Sequence, residues 1–317
     1  MFAHRRRARW LLATVGFSLG CAALGGALAA PGCGDGEGPA APPAVTLTLL
    51  ESGREPRAVL RYPSEPTAAG KLSLTLRLAM KMEVPGSPVP PVTMPGLRLL
   101  IDVTSARADK GVKYQFTVAD ADLTSTDNAH PSLLAEMRKG VDTLVGASGH
   151  LVLESRGTTG DLTLAHPAGI GQELGEFLNS ARLAMGQMVV PLPAEPIGAG
   201  AKWEAVEIVS QDGINVREKT YFELVAIDGP RALLRTQTVQ SADRQRAALP
   251  GLPDGVSAEV VSLRGSAAGE VELDLRRLVP GSMREEVKTD VSFVVRQGQT
   301  ERAMSLTQTS GLEIQGL

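Results

Sequence analysis

Leu72, Leu74, Leu76 and Leu78 alternate with Ser73, Thr75, Arg77 and Ala79, and a period of two puts the leucines on one face of an extended strand. The habit recurs at Leu97 to Ala106, Val112 to Thr124, His150 to Ser155, Trp203 to Val209, Thr220 to Ile227 and Ala232 to Val239. It continues at Ala258 to Leu263, Glu270 to Leu275, Glu286 to Val295 and Ala303 to Ile314. Asp212-Gly213, Asp228-Gly229 and Asp254-Gly255 punctuate these runs with residues that tolerate the positive φ of tight hairpin turns. So many alternating runs predict a large, mostly antiparallel sheet with one apolar and one wet face.

Two stretches break the period. Pro131 to Val145 spaces Leu134, Met137, Val141 and Leu144 by three and four, with Gly140 as a weak point. Ile170, Leu174, Phe177, Leu178, Ala181, Met185 and Met188 trace a second helical stripe, which Pro191 and Pro193 stop. Amphipathic helices need an apolar surface, and the leucine face of the sheet is the nearest. The expected fold class is therefore mainly β (α+β): a large curved antiparallel sheet or half-barrel, with two amphipathic helices on its concave face. Residues 45–317 read as one β-rich domain. Because Pro191 to Pro196 falls near the middle, two lobes at 45–190 and 197–317 are the alternative.

The N-terminus has a different character. Arg5, Arg6, Arg7 and Arg9 precede an uncharged run from Trp10 to Ala30, the layout of an export signal over residues 1–32. Ala30-Pro31-Gly32-Cys33 resembles a bacterial lipobox, in which the Cys33 thiol takes a lipid and becomes the first mature residue. Residues 33–44, rich in Gly and Pro, then read as a flexible tether. Ordinary cleavage after Ala29 or Ala30, leaving Cys33 free, is the competing route, and the arginine run also fits twin-arginine export as well as the general secretory route. The expected location is the cell envelope, with the lipid bilayer as partner through the anchor.

Splitting off this segment changes the charge. The whole chain has 32 Lys plus Arg against 35 Asp plus Glu, but four of the arginines and none of the acids lie in residues 1–32. The remainder carries 28 basic and 35 acidic residues, a net of about −7, which gives no electrostatic footprint for nucleic acid. Of the eleven aromatics, Phe2, Trp10 and Phe17 also fall in the leader, so base stacking has little material.

Catalytic chemistry is equally thin. Only His130, His150 and His166 remain after the leader, and each reads as a loop or strand-end residue. No Gly-x-Ser-x-Gly elbow and no paired His or Cys spacing occurs, so the reading assigns no catalytic residue, metal or cofactor. Asp120-Ala-Asp122 lacks the glycine turn and terminal glutamate of a calcium loop.

Pro191-Leu-Pro-Ala-Glu-Pro-Ile-Gly-Ala-Gly-Ala-Lys-Trp203 resembles an element of a family of secreted bacterial proteins of unknown function, where it joins a helix to long strands. The resemblance implies an envelope location and a β-rich fold, and transfers no site residues. In architecture the expected sheet also looks like the half-barrel lipoprotein carriers of bacterial envelopes, which hold acyl chains between sheet and helices. Trp203, Phe177, Leu174, Met185 and Met188 are accordingly the candidate ligand groove, with a core anchor as the plain alternative for Trp203. The functional expectation is a non-enzymatic envelope lipoprotein that binds an apolar or lipid ligand. A closed-core structural or protein-interaction protein and a hydrolase with scattered residues are the alternatives. Oligomeric state has no signature in the sequence.

Overall fold

The computed structural model describes residues 45–86, 89–124, 131–157, 162–165, 181, 185, 186, 188–211, 214–247 and 256–317. The leader, the tether, Cys33, Leu174 and Phe177 lie outside them.

The alternating runs become strands: β1 (Thr46–Glu51), β2 (Gly70–Glu83), β3 (Val92–Thr93), β4 (Gly96–Arg107), β5 (Val112–Thr124), β6 (Ser148–Leu153) and β7 (Thr163–Leu164). Beyond residue 200 follow β8 (Lys202–Gln211), β9 (Ile214–Asp228), β10 (Arg231–Ala242), β11 (Gln245–Ala247), β12 (Val256–Asp274), β13 (Ser282–Gln297) and β14 (Thr300–Gly316). All belong to one 14-stranded sheet in the order β1-β8-β9-β10-β12-β13-β14-β2-β4-β5-β6-β7, with β11 on β12 and β3 on β2. The pairing is antiparallel at every described interface, including β1 with β8 and β2 with β14. Segments on both sides of Pro191–Pro196 thus contribute to the same sheet.

Two expectations change. Ala258 to Leu263 and Glu270 to Leu275, read as separate strands, are one strand of 19 residues. The stretch between them, Arg264 to Gly269, keeps its ladder with β13 although Gly265, Ala267 and Gly269 put little side chain on the inner face. The first helical stretch also shortens. The helix α1 (Pro131–Gly140) ends at the glycine, and Val141–Leu144 continues as a 3-10 turn. It is the one α-helix of which the described residues give a full account; the second stretch, 170–188, lies mostly outside them, and of its stripe Ala181, Met185 and Met188 are seen, all buried.

Buried side chains fall into two clusters on the inner face. The larger joins Leu72, Leu74 and Leu76 of β2 to Leu97, Leu99 and Ile101 of β4, Tyr114 and Phe116 of β5, and Leu151 and Leu153 of β6. It also includes Trp203 of β8, Leu224 of β9, Val271 of β12, Met137 of α1, and Met185 and Met188. The smaller lies toward the other end of the long strands and holds Ile214, Val216, Val260, Leu263, Val291, Phe293 and Leu306.

Two irregular segments lie between distant strands. The Tyr62 N–H donates to Ser155 O at 2.8 Å, and the Tyr62 hydroxyl accepts from the Val190 N–H at 2.9 Å. Leu192 N–H reaches Arg156 O, while Ala58 and Ile197 exchange two backbone bonds of 2.9 and 3.0 Å. Arg61 fixes the proline-rich turn by donating to Pro193 O and Ala194 O. Segments 52–62 and 188–201 thereby tie the chain beside β8, second in the sheet order, to the end of β6, eleventh in it.

Their contact is close enough to dictate a residue. A Cβ on Gly198 would stand 1.9 Å from Arg54 O and 2.8 Å from Pro56 O, both backbone atoms that cannot swing aside. Gly198→Ala is expected to cost about 1–3 kcal/mol in a urea melt. Gly70→Ala, with nothing within 4 Å of its Cβ, should leave stability within about 0.5 kcal/mol of the parent.

Candidate functional site

Trp203 is fully buried. Its ring stacks on Phe222 at 5.4 Å between centroids and 14° between planes, and its Nε1–H donates to Pro191 O at 2.9 Å. The proline-rich segment is thus held to the start of β8 by the indole. Met185 and Met188 are buried in the same cluster, which is as far as the candidate groove can be followed because Leu174 and Phe177 lie outside the described residues. Between Ala181, Met185 and the inner side chains Leu99, Ile101 and Phe116 is an apolar cavity of about 10 Å³, room for one water molecule at most. Met1 apart, every methionine of the chain packs into or against the two inner clusters.

The histidines form no relay among the described residues. His150 Nδ1 lies 2.8 Å from the Thr163 hydroxyl at an exposed strand edge, and His130 and His166 are outside the description. Asp120 and Asp122 point to solvent, the latter paired with Arg98 at 3.0 Å. Among the described residues no three His, Cys, Asp or Glu side chains converge as metal ligands.

A different feature emerges between the two apolar clusters, on five neighbouring strands. On β9, Glu218 and Thr220 separate Val216 from Phe222; on β10, Thr236, Thr238 and Gln240 separate Leu234 from Ala242. On β12 the intervening inner positions are Gly265, Ala267 and Gly269, on β13 Glu285, Val287 and Thr289, and on β14 Gln308 and Ser310. Register aligns them, since Gln240 pairs with Gly265, Gly265 with Thr289, and Thr289 with Gln308. Glu207 of β8 extends the same row as the direct neighbour of Glu218. Two like charges opposite one another destabilise a sheet, so a run of valines would be the more stable choice here.

Part of the band is satisfied internally. Gln240 Nε2 donates to Glu218 Oε2 at 2.8 Å, and the Thr220 and Thr238 hydroxyls are 2.9 Å apart. Other atoms have no partner: Glu285 Oε2, Thr236 Oγ1 and Gln308 Oε1 are buried without a hydrogen bond. Glu285 is only 6% exposed and Thr236 7%. Each such orphan costs about 1–3 kcal/mol. Burial, and then the neighbouring Glu218 carboxylate, push Glu285 up to about 7, and burial followed by the same neighbour raises Glu207. Burial raises Glu218 as well, against the lowering effect of the Gln240 hydrogen bond. No basic side chain of β9, β10, β12 or β13 opposes them: Arg217, Arg235, Arg264, Arg284 and Lys288 are exposed, and Lys219 pairs with Glu204 at 2.6 Å.

This acidic band is absent from the sequence expectations, although its signal was present. Glu218 stands two residues from Val216 and Thr220 in an alternating run, and Glu285 two from Met283 and Val287, so both occupy inward parity.

No described helix is long and apolar enough to cross a membrane. No family model and no curated protein matches the chain. Among solved structures, the crystal structure of Pseudomonas aeruginosa OccK9 (OpdG) aligns over 78% of this chain and 98% of its own, at 10% identity and a TM-score of 0.20, a level of likeness that carries no argument about fold or function.

Proposed function

We propose that this chain is an exported, non-enzymatic binding protein of the bacterial envelope, anchored through Cys33, whose inner sheet face takes an apolar or lipid ligand beneath its covering segments. The observation that carries the reading is the placement of the methionines: all eight beyond Met1 lie in or against the inner clusters, three of them, Met137, Met185 and Met188, on segments laid over the sheet. Unbranched thioethers repack around ligands of varied shape. The half-barrel shape belongs to the same reading. Strands second and eleventh in the order would lie roughly 43 Å apart in a flat sheet, yet the segments joining them share one core with both.

A second reading is a closed-core structural or interaction protein, which the cavity of about 10 Å³ and the close packing of Trp203 favour. Organic extraction and lipid mass spectrometry of protein purified from its native host separates the two. A bound acyl lipid near one equivalent is the expected result, and a clean extract hands the case to the closed core. Mass spectrometry of the mature N-terminus tests the anchor. A diacylglyceryl-modified Cys33 is expected, and an unmodified Cys33 on a chain cut after Ala29 or Ala30 overturns it.

A further inference from the structure

We propose that the acidic band between the two apolar clusters is a binding site for a primary ammonium group, carried by an amphiphile whose alkyl chain lies along the adjoining apolar face. The chain portion rests on the apolar-ligand reading above; the ammonium portion rests on the band itself.

The argument starts from what the band lacks. Glu285 Oε2 and Gln308 Oε1 are buried acceptors without donors, Thr236 Oγ1 is free to accept, and Glu207 and Glu218 face each other across a strand pair. A group that only donates and carries positive charge complements this set, and an ammonium, with three N–H donors and no acceptor, is the smallest organic one. A divalent metal suits it less. Such an ion needs several oxygens converging at short range, and among the described residues no acidic trio converges.

The backbone keeps any side chain from coming between the orphans on β10 and β13. Gly269 sits between Thr236 and Glu285 in register, and a Cβ there would stand 3.0 Å from Thr236 Oγ1 and 2.6 Å from Arg284 O. Without a side chain at 269, the threonine hydroxyl and the glutamate stand on either side of bare β12 backbone on the inner face. Apolar surface borders it on both sides, Val271 and Met283 toward one cluster and Leu263 and Val291 toward the other.

Isothermal titration of the purified protein with octylammonium chloride and with 1-octanol isolates the charged head from the common tail. The wild type is expected to bind octylammonium about tenfold or more tightly than 1-octanol. Glu285→Gln, which keeps shape and removes charge, should bring the two within about threefold while leaving 1-octanol unchanged, and Thr236→Val should narrow the gap in the same direction. Circular dichroism and melting of both variants check that they remain folded. Equal affinities in the wild type, or a preference that survives Glu285→Gln, overturn the ammonium site and leave the apolar-ligand reading standing. If neither eight-carbon ligand binds, that reading fails and the band is tested alone by saturation-transfer NMR with ethylammonium chloride. A signal that Glu285→Gln abolishes then supports the site, and no signal overturns it.

Discussion

Replacing Glu285 by glutamine is expected to stabilise the fold near pH 8 by about 3 kcal/mol, and to change almost nothing near pH 4. The sign follows from proton counting. The carboxyl titrates at about 7 in the folded chain against an ordinary 4.5, so between those values the folded state holds a proton that the unfolded state has lost. Stability must therefore fall as the pH rises through that window and stay low above it. The difference, about 2.5 pKa units at 1.36 kcal/mol each, is the penalty that glutamine avoids. Below 4.5 both residues are neutral in both states. Urea melts of parent and variant at several pH values measure the gap; equal stability near pH 8 would show that the Glu285 carboxylate is already compensated. A Glu218→Gln/Glu285→Gln double variant should gain less than the two singles together, because the Glu218 carboxylate is one cause of the Glu285 shift.

Trp203→Ala is expected to be the most damaging single change, at about 3–5 kcal/mol. The indole is fully buried, stacks on Phe222, and donates the hydrogen bond that pins Pro191 to β8. Trp203→Phe keeps a ring over Phe222 and leaves the Pro191 carbonyl without its donor, so it should cost about 1–3 kcal/mol. Chemical denaturation of the two variants reads both effects. If phenylalanine is as damaging as alanine, the hydrogen bond rather than the stack holds the segment; if alanine costs under about 1 kcal/mol, the residue is not the anchor described.

Much of the sheet was legible because its signal is local. The alternating leucines of β2 and the run from Val112 to Thr124 in β5 carry parity and extent within a dozen residues. The single strand β12 was not, because its middle positions are Gly, Ala and Ser and neither alternation nor a turn marks them. Pairing was also hidden. Nothing near Leu72 names Gly316 as its neighbour, since partners so far apart in the chain meet only through the completed face. Trp203 reads from sequence as a groove wall or a core anchor, whereas its stacking on Phe222 follows from the β8–β9 register, which no local signal gives. The acidic band escaped for a simpler reason: by residue type Glu218 and Glu285 read as wet-face residues, although each shares the parity of an apolar neighbour, Val216 and Met283. The core residues announce themselves by type, whereas these glutamates are identified by position alone.

The place of β14 between β13 and β2 bears on how the chain reaches its final form. β2 is made early, and its ladder partner follows more than two hundred residues later. Until β14 arrives, the β2–β4–β5–β6 half and the β8–β13 half each present a long bare edge where β14 will pair. Such late, distant pairing makes folding slow and leaves sticky intermediates exposed to one another. A chain still short of β14 therefore cannot finish this sheet, and its β2 and β13 edges stay open to pairing with other chains until it does.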